Sequence, residues 1–212
     1  ARLEQTHNLC SDGAHCIWPF DLERVDSLQE EFESFVQRHH LAINCFVHSA
    51  GIVLLPSIRS MDLNIIRKLV DVNATSAVLL TSSLLKHRVA QRTLCGIVMI
   101  SSVTGSFGAR GKSLYGMSKG MLNAFVRASA VELAPRVRIN SICPAAVKTE
   151  MAQDVFSDPV IVGAMNRRHP LGTGKPEYIA GVVDFLLSEK AQWITGQQIF
   201  VDGGASVNMT FK

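Results

Sequence analysis

No sign of charge dominates this chain: 21 Lys and Arg stand against 18 Asp and Glu, for a formal net charge of +3 over 212 residues. That leaves no basic surplus of the kind that grips a nucleic-acid backbone. The five cysteines are odd in number and form no Cys-x-x-Cys pair, which speaks against a disulfide framework and a zinc site. Three of them lie in apolar strand-like runs, as buried thiols of a reducing compartment do. No apolar run reaches 18 residues and no signal-peptide pattern occurs. The expectation is a cytoplasmic protein with neither membrane nor nucleic-acid partners and no metal. A glycine-rich phosphate loop is missing as well. The nearest glycine cluster, Gly105-Ser106-Phe107-Gly108-Ala109-Arg110-Gly111, precedes a helical stretch and reads as a loop rather than a phosphate cradle.

What is present is a regular alternation of strand-like and helical patterns. The apolar fraction of 47% supplies a substantial core, and the length fits one domain, 1–212. Residues 1–13 are polar and end in a turn signal, Ser11-Asp12-Gly13. Residues 21–40 carry Val25, Leu28, Phe32, Phe35 and Val36 at helical spacing. Residues 44–51 read as a strand and turn. Residues 62–87 read as one long helix through Ile66, Leu69, Val70, Asn73, Ala77, Leu80 and Leu84. Ile97-Val98-Met99-Ile100-Ser101 reads as a buried parallel strand, followed by a helix over Ser113–Leu133. Strands are expected over 138–143 and Gln198–Val201, and a helix over 176–188 with Pro176 in its first turn. The order predicts an α/β fold, a doubly wound parallel sheet with helices on both faces. Between 147 and 174 the pattern breaks, punctuated by Pro159, Pro170, Gly172 and Gly174. Arg167-Arg168-His169 reads as a solvated basic loop.

The residues that carry chemistry are Tyr115 and Lys119, four apart on a helix and so stacked on one face. Ser102 comes thirteen residues before the tyrosine, and Asn73 lies upstream. Reducing a ketone requires a hydride at carbon and a proton at oxygen, and the donor's pKa must lie near the working pH. A free tyrosine titrates near ~10, and bringing it to about 7 takes roughly 4 kcal/mol. A lysine one turn away favours the phenolate and is expected to lower the pKa. Ser102 ends the apolar run at 97–101, so a parallel sheet would deliver its hydroxyl to the C-terminal edge, where ligands bind in open α/β sheets.

These residues resemble the short-chain dehydrogenase/reductase family over residues 14–205. The pattern is closest to the 3-oxoacyl-[acyl-carrier-protein] reductase-like ketoreductases. Asn73, Ser102, Tyr115 and Lys119 match the family's catalytic tetrad, with Asn73 holding a relay water. Asp21-Leu22, after the strand-like Cys16-Ile17-Trp18-Pro19-Phe20, matches the position that contacts adenine. His48-Ser49-Ala50-Gly51 resembles the Asn-Asn-Ala-Gly turn, which makes Ser49, Ala50 and Gly51 cofactor-binding. Pro144-Ala145-Ala146-Val147-Lys148-Thr149 resembles the segment that holds the nicotinamide carboxamide, through Pro144, Ala145, Val147 and Thr149. Tyr115 and Lys119 also contact the cofactor. Trp193-Ile194-Thr195-Gly196-Gln197 and Val201-Asp202-Gly203-Gly204 match the C-terminal strand and turn.

The resemblance implies a Rossmann-like fold and an NAD(P)-dependent oxidoreductase of fatty acid metabolism. It would reduce a 3-oxoacyl-type ketone or oxidise a secondary alcohol, with a small-molecule or acyl-carrier-linked substrate. NADP is slightly favoured over NAD. Residues 148–174 would form a substrate lid, and the chain would assemble as a homo-tetramer through the helices at 62–87 and Ser113–Leu133 and through the C-terminal strand. His48 replaces the asparagine that braces the sheet and is expected to serve as a satisfied structural histidine. Ala145 replaces a glycine. The family's first two strands, its glycine loop and its first helix have no counterpart here. The expectation is a longer parent with about 35–40 further residues upstream, from the ~30-residue scale of the βαβ fingerprint. The alternative reading is a non-catalytic member or inactive fragment serving as a scaffold; a sugar epimerase is a more distant rival.

Overall fold

The structure, a computed structural model, describes residues 15–86 and 93–208 together with Glu4, Cys10 and Val89. The turn expected at Ser11-Asp12-Gly13 and the His87 end of the long helix lie outside the described residues. Elements follow in the order α1 (Val25–Arg38), β1 (Cys45–His48), α2 (Leu63–Val70), α3 (Ser76–Leu85), β2 (Gly96–Ile100), α4 (Ser113–Leu133), β3 (Arg138–Pro144), α5 (Gln153–Phe156), α6 (Pro159–Arg168), α7 (Pro176–Leu187) and β4 (Gln198–Val201). The strands form one parallel sheet, β1-β2-β3-β4.

Both faces of the sheet are covered, which is why β2 is apolar at successive positions. Side chains alternate along a strand, so Ile97 and Met99 face one way and Val98 the other. The first face packs on Val36 of α1, Ala77 and Leu84 of α3, and Leu122, Val126 and Ala130 of α4. The second, with Val98 and Ile142, packs on Leu186 of α7 and on Ala191. Helix ends follow local chemistry. The Asp62 carboxylate accepts from the amides of Asn64 and Ile65 at the start of α2. Asp158 does the same for Val160 and Ile161, with Pro159 at the first turn of α6. Helix α4 stops at Ala134, whose ψ of 147° is the extended conformation imposed by the following Pro135.

Four expectations are corrected. The helix read over 62–87 is not continuous: a π-helical turn, Asp71–Thr75, separates α2 from α3. The segment 15–20, read as strand-like, forms no strand. Instead Trp18 stacks on Phe20 at 4.8 Å and tilts against Phe32 of α1 at 5.2 Å. Of the thiols in apolar runs, Cys143 is buried, but Cys16 and Cys45 are exposed. Cys16 lies outside the sheet. Cys45 sits on β1, which has one hydrogen-bonded neighbour among the described residues and leaves its Cys45 and Val47 side uncovered. Arg167-Arg168-His169 is not a solvated loop: the arginines occupy the last turn of α6 and His169 is buried. Among the described residues, no helix is long and apolar enough to cross a membrane. Nor does any group of three or more His, Cys, Asp and Glu stand close enough to hold a metal.

Candidate active site

The C-terminal ends of β1, β2 and β3 and the first turns of α4 converge on one place. Ser102 follows β2 and caps a short 3₁₀ turn, Val103–Gly105. Its Oγ accepts from the Thr104 amide at 3.2 Å and from the Thr104 hydroxyl at 3.0 Å. Those two donors occupy its lone pairs, so its own proton is left to face the neighbouring Tyr115 phenol, whose ionised form it favours. The turn and α4 are close enough to demand glycine. A Cβ on Gly116 would lie 2.7 Å from the Thr104 carbonyl oxygen, and one on Gly105 would lie 2.8 Å from the Lys119 carbonyl carbon. Ser101 adds a further tie, donating to Lys119 O at 3.0 Å.

Lys119 is 4% exposed, and its Nζ donates to the Ile100 carbonyl at 2.9 Å. The amine sits 5.9 Å from the centre of the Tyr115 ring. Burial lowers the Lys119 pKa to about 8, because an ammonium loses hydration inside the protein. The expectation for Tyr115 is corrected here. Burial raises the phenol pKa, while the Ser102 hydrogen bond works in the opposite direction. The lysine does not lower it in this arrangement, since its amine lies against Ile100 O beside the ring.

Asn73 sits in the π-helical turn, fully buried. The extra residue in that turn aims its amide sideways at the segment after β1. Its Oδ1 accepts from the Ile52 amide at 2.7 Å, and its Nδ2 donates to Ile52 O at 3.0 Å and to Ser118 Oγ at 3.1 Å. It thereby clamps the turn carrying Ser49, Ala50 and Gly51. A Cβ on Gly51 would lie 3.2 Å from Asn73 Oδ1 and 3.3 Å from Lys119 Nζ, so this turn and the tetrad share one tight space. His48 meets the structural expectation in half. Its Nε2 pairs with Ser76 Oγ at 3.2 Å, but its buried Nδ1 has no partner among the described residues. Burial, assisted by nearby Lys119, lowers its pKa to about 4.

Pro144 ends β3 in register with Val201 of β4, next to buried Cys143. Val147 bridges Gly174, and Thr149 begins a 3₁₀ turn, Glu150–Ala152. Ala145 is partly buried. Asp21 and Leu22 lie just before α1, in a segment tied to α2 by the Glu23–Lys68 ion pair at 2.7 Å. Among the described residues, no hydrogen bond joins Asp21, Leu22, Val147 or Thr149 to the four tetrad residues. Sequence reasoning missed two participants. Ser118 links Asn73 to α4, and its only sequence signal is its position three after Tyr115. His169 accepts from the Ala146 amide at 3.4 Å through Nε2, and its Nδ1 pairs with Met165 O at 2.6 Å, joining the segment after Pro144 to α6.

A family model described as Enoyl-(Acyl carrier protein) reductase matches residues 1–206. The 3-oxoacyl-[acyl-carrier-protein] reductase FabG of Aquifex aeolicus is 36% identical over 206 residues, which cover 96% of this chain and 81% of that protein. Carbonyl reductase family member 4 of Xenopus laevis is 33% identical over 202 residues, covering 93% of this chain and 80% of that protein. A solved structure of a 4-hydroxyisoleucine dehydrogenase complexed with NADH has a TM-score of 0.84 at 25% identity, covering 89% of this chain and 78% of the other. Likeness over nearly the whole length, in sequence and in backbone, leaves one assignment: the chain belongs to the short-chain dehydrogenase/reductase family of NAD(P)-dependent oxidoreductases.

Proposed function

We propose that this chain reduces a ketone, or oxidises the matching secondary alcohol, with Tyr115 as the proton donor or acceptor. The observation that carries the reading is the placement of the Tyr115 phenol beside Ser102 at the C-terminal edge of the sheet, with the buried Lys119 amine 5.9 Å from its ring. The residues fit a nicotinamide dinucleotide. Gly51 offers no side chain where Asn73 and Lys119 approach it. Lys119 spends one of its three donors on Ile100 O, leaving donors for ribose hydroxyls. Ser49, Ala50 and Gly51 would line the cofactor, Pro144, Ala145, Val147 and Thr149 would hold its carboxamide, and Asp21 and Leu22 its adenine. The bound cofactor, NADP or NAD with NADP slightly favoured, supplies or accepts the hydride.

Ser102 orients the substrate oxygen. Tyr115 gives that oxygen its proton, and the Ser102 hydroxyl favours the phenolate left behind. With a pKa of about 8, Lys119 also exchanges protons near neutrality. Asn73 holds the turn below and anchors the proton relay. The substrate is proposed to be a 3-oxoacyl group on a carrier or a small ketone, supported by the description of the family model and by the Aquifex relative. Residues 148–174 are proposed to close over it: Met151, Val155, Val160 and Ile161 all expose apolar surface there. The working form is proposed to be a cytoplasmic homo-tetramer.

The test uses the full chain, a 3-oxoacyl thioester and reduced cofactor, followed by nicotinamide absorbance. Tyr115→Phe is expected to lower turnover by about 10²–10⁴-fold, the typical worth of a positioned acid, with cofactor fluorescence on binding retained. Turnover equal to that of the unaltered chain would rule Tyr115 out as the acid. No turnover and no cofactor binding by the unaltered chain would favour the scaffold reading.

A further inference from the structure

At the opposite end of the sheet from Tyr115, the N-terminal ends of β1 and β2 bring two thiols together. Cys45 pairs in register with Gly96, and Gly96 with Arg138, so the three residues form one row across three strands. The glycine in the middle is buried beneath Leu187, whose Cδ2 would lie 2.9 Å from a Cβ placed there. Cys45 Sγ lies 3.7 Å from where a Gly96 Cβ would be. Cys95, one residue earlier, is drawn against the residue before Cys45: its amide and that of Gly96 both converge on Asn44 O, at 2.8 and 3.4 Å. The Cys95 thiol donates to the same carbonyl at 3.3 Å, and it is near enough to Cys45 to raise the pKa of that thiol. Both cysteines are exposed. Arg138, fixed by the carbonyls of Leu186, Ser188 and Ile194, places a guanidinium near the pair. Its charge favours the thiolate of Cys45, against burial and the neighbouring thiol, which hold that group protonated.

We infer that Cys45 and Cys95 form a reversible redox site in which a peroxide-class oxidant converts the two thiols into a disulfide. One thiolate attacks the peroxide O–O bond, becoming a sulfenic acid and releasing water. The second thiol then attacks that sulfur, forming the S–S bond and releasing a second water. Two thiols and one hydrogen peroxide thus give one disulfide and two waters, with two electrons passing to the peroxide. Cys45, held in the thiol form, is the second to react. The bond would tie β1 to β2 and leave the tetrad, about 20 Å away from Gly96 to Ser102 at ~3.3 Å per residue, chemically untouched.

The folded full chain is treated with stoichiometric hydrogen peroxide and read by intact mass and peptide mapping. The expected result is loss of two hydrogens, a peptide carrying Cys45 joined to one carrying Cys95, and reversal by dithiothreitol. Cys45→Ser should abolish the loss and leave a sulfenic acid on Cys95 that dimedone traps. A dominant link through Cys10 or Cys16, or overoxidation of either thiol with no Cys45–Cys95 link, would overturn the inference. A second measurement needs no variant: phenylarsine oxide, which bridges close thiol pairs, should shield both residues from iodoacetamide. Unchanged alkylation of both would equally sink it.

Discussion

Burial decides the charge state of individual side chains in this site, and two of its residues show it in opposite chemical roles. Lys119 keeps an amine inside the protein, with its pKa lowered to about 8; His48 keeps an imidazole neutral, with a pKa of about 4. For His48 the consequence for stability has a definite sign. The unfolded chain binds a proton at this residue below the ordinary value of 6.5, whereas the folded chain does so only near 4. Between those values the unfolded state holds more protons, so stability falls as pH falls through that window, by about 3 kcal/mol in full. Carboxylates titrate there too, so the measure is a difference. Urea unfolding of the His48→Asn variant is expected to show a shallower loss between pH 6.5 and 4 than the unaltered chain. Parallel curves would place the proton elsewhere. The tetrad was legible in the sequence because helix periodicity fixes where Tyr115 and Lys119 stand relative to each other. The direction of the Tyr115 shift was not legible. It depends on how far the phenol is buried and on where the lysine amine points, and neither is a property of spacing.

At the level of elements, the π-helical turn is what makes Asn73 useful. In a continuous helix over 62–87, as the apolar stripe implied, Asn73 would sit within the packed face. The inserted residue instead swings its amide onto Ile52 and Ser118. Nothing in hydrophobic periodicity marks such an insertion, since the stripe Ile66, Leu69, Val70 resumes at Ala77, Leu80 and Leu84 with little visible break. Asn73→Ala would leave the amide and carbonyl of Ile52 unpaired in a partly buried place. The expected cost is about 2 kcal/mol or more, read as a lower midpoint in urea, together with weaker cofactor binding as the turn at Ser49–Gly51 loosens. An Asn73→Asp variant keeps an acceptor for the Ile52 amide and should recover part of the stability. Strands were easier to read than this helix. β2 is apolar at successive positions because both faces of the sheet are covered, whereas 15–20 is also largely apolar but has no sheet partner. A run of apolar residues reports burial, not pairing, and Trp18 finds its burial against aromatic side chains instead.

For the whole molecule, the exposed apolar side chains on α3 and α4 are the feature that a solitary chain does not use. Val78 on α3 and Met117, Met121 and Val131 on α4 are 36, 43, 45 and 83% exposed in ascending order of Val78, Met121, Met117 and Val131. These are the helices through which the proposed tetramer would assemble, and their inner faces are already committed to the sheet through Leu84, Leu122 and Val126. Burying such side chains against a second copy returns about 25 cal/mol for each Å² of apolar surface removed from water, whereas a charge placed among them must be desolvated. Met121→Glu is therefore expected to shift the sedimentation coefficient from that of an assembly toward that of a single 23.2 kDa chain. The same substitution at exposed Tyr178 of α7, away from those two helices, should leave the assembly intact. Sedimentation of the unaltered chain as a monomer at micromolar concentration would end the proposal. If Met121→Glu separates the subunits while Tyr178→Glu does not, the stripe on α4 has been located as the contact by charge alone, independently of any catalytic assay.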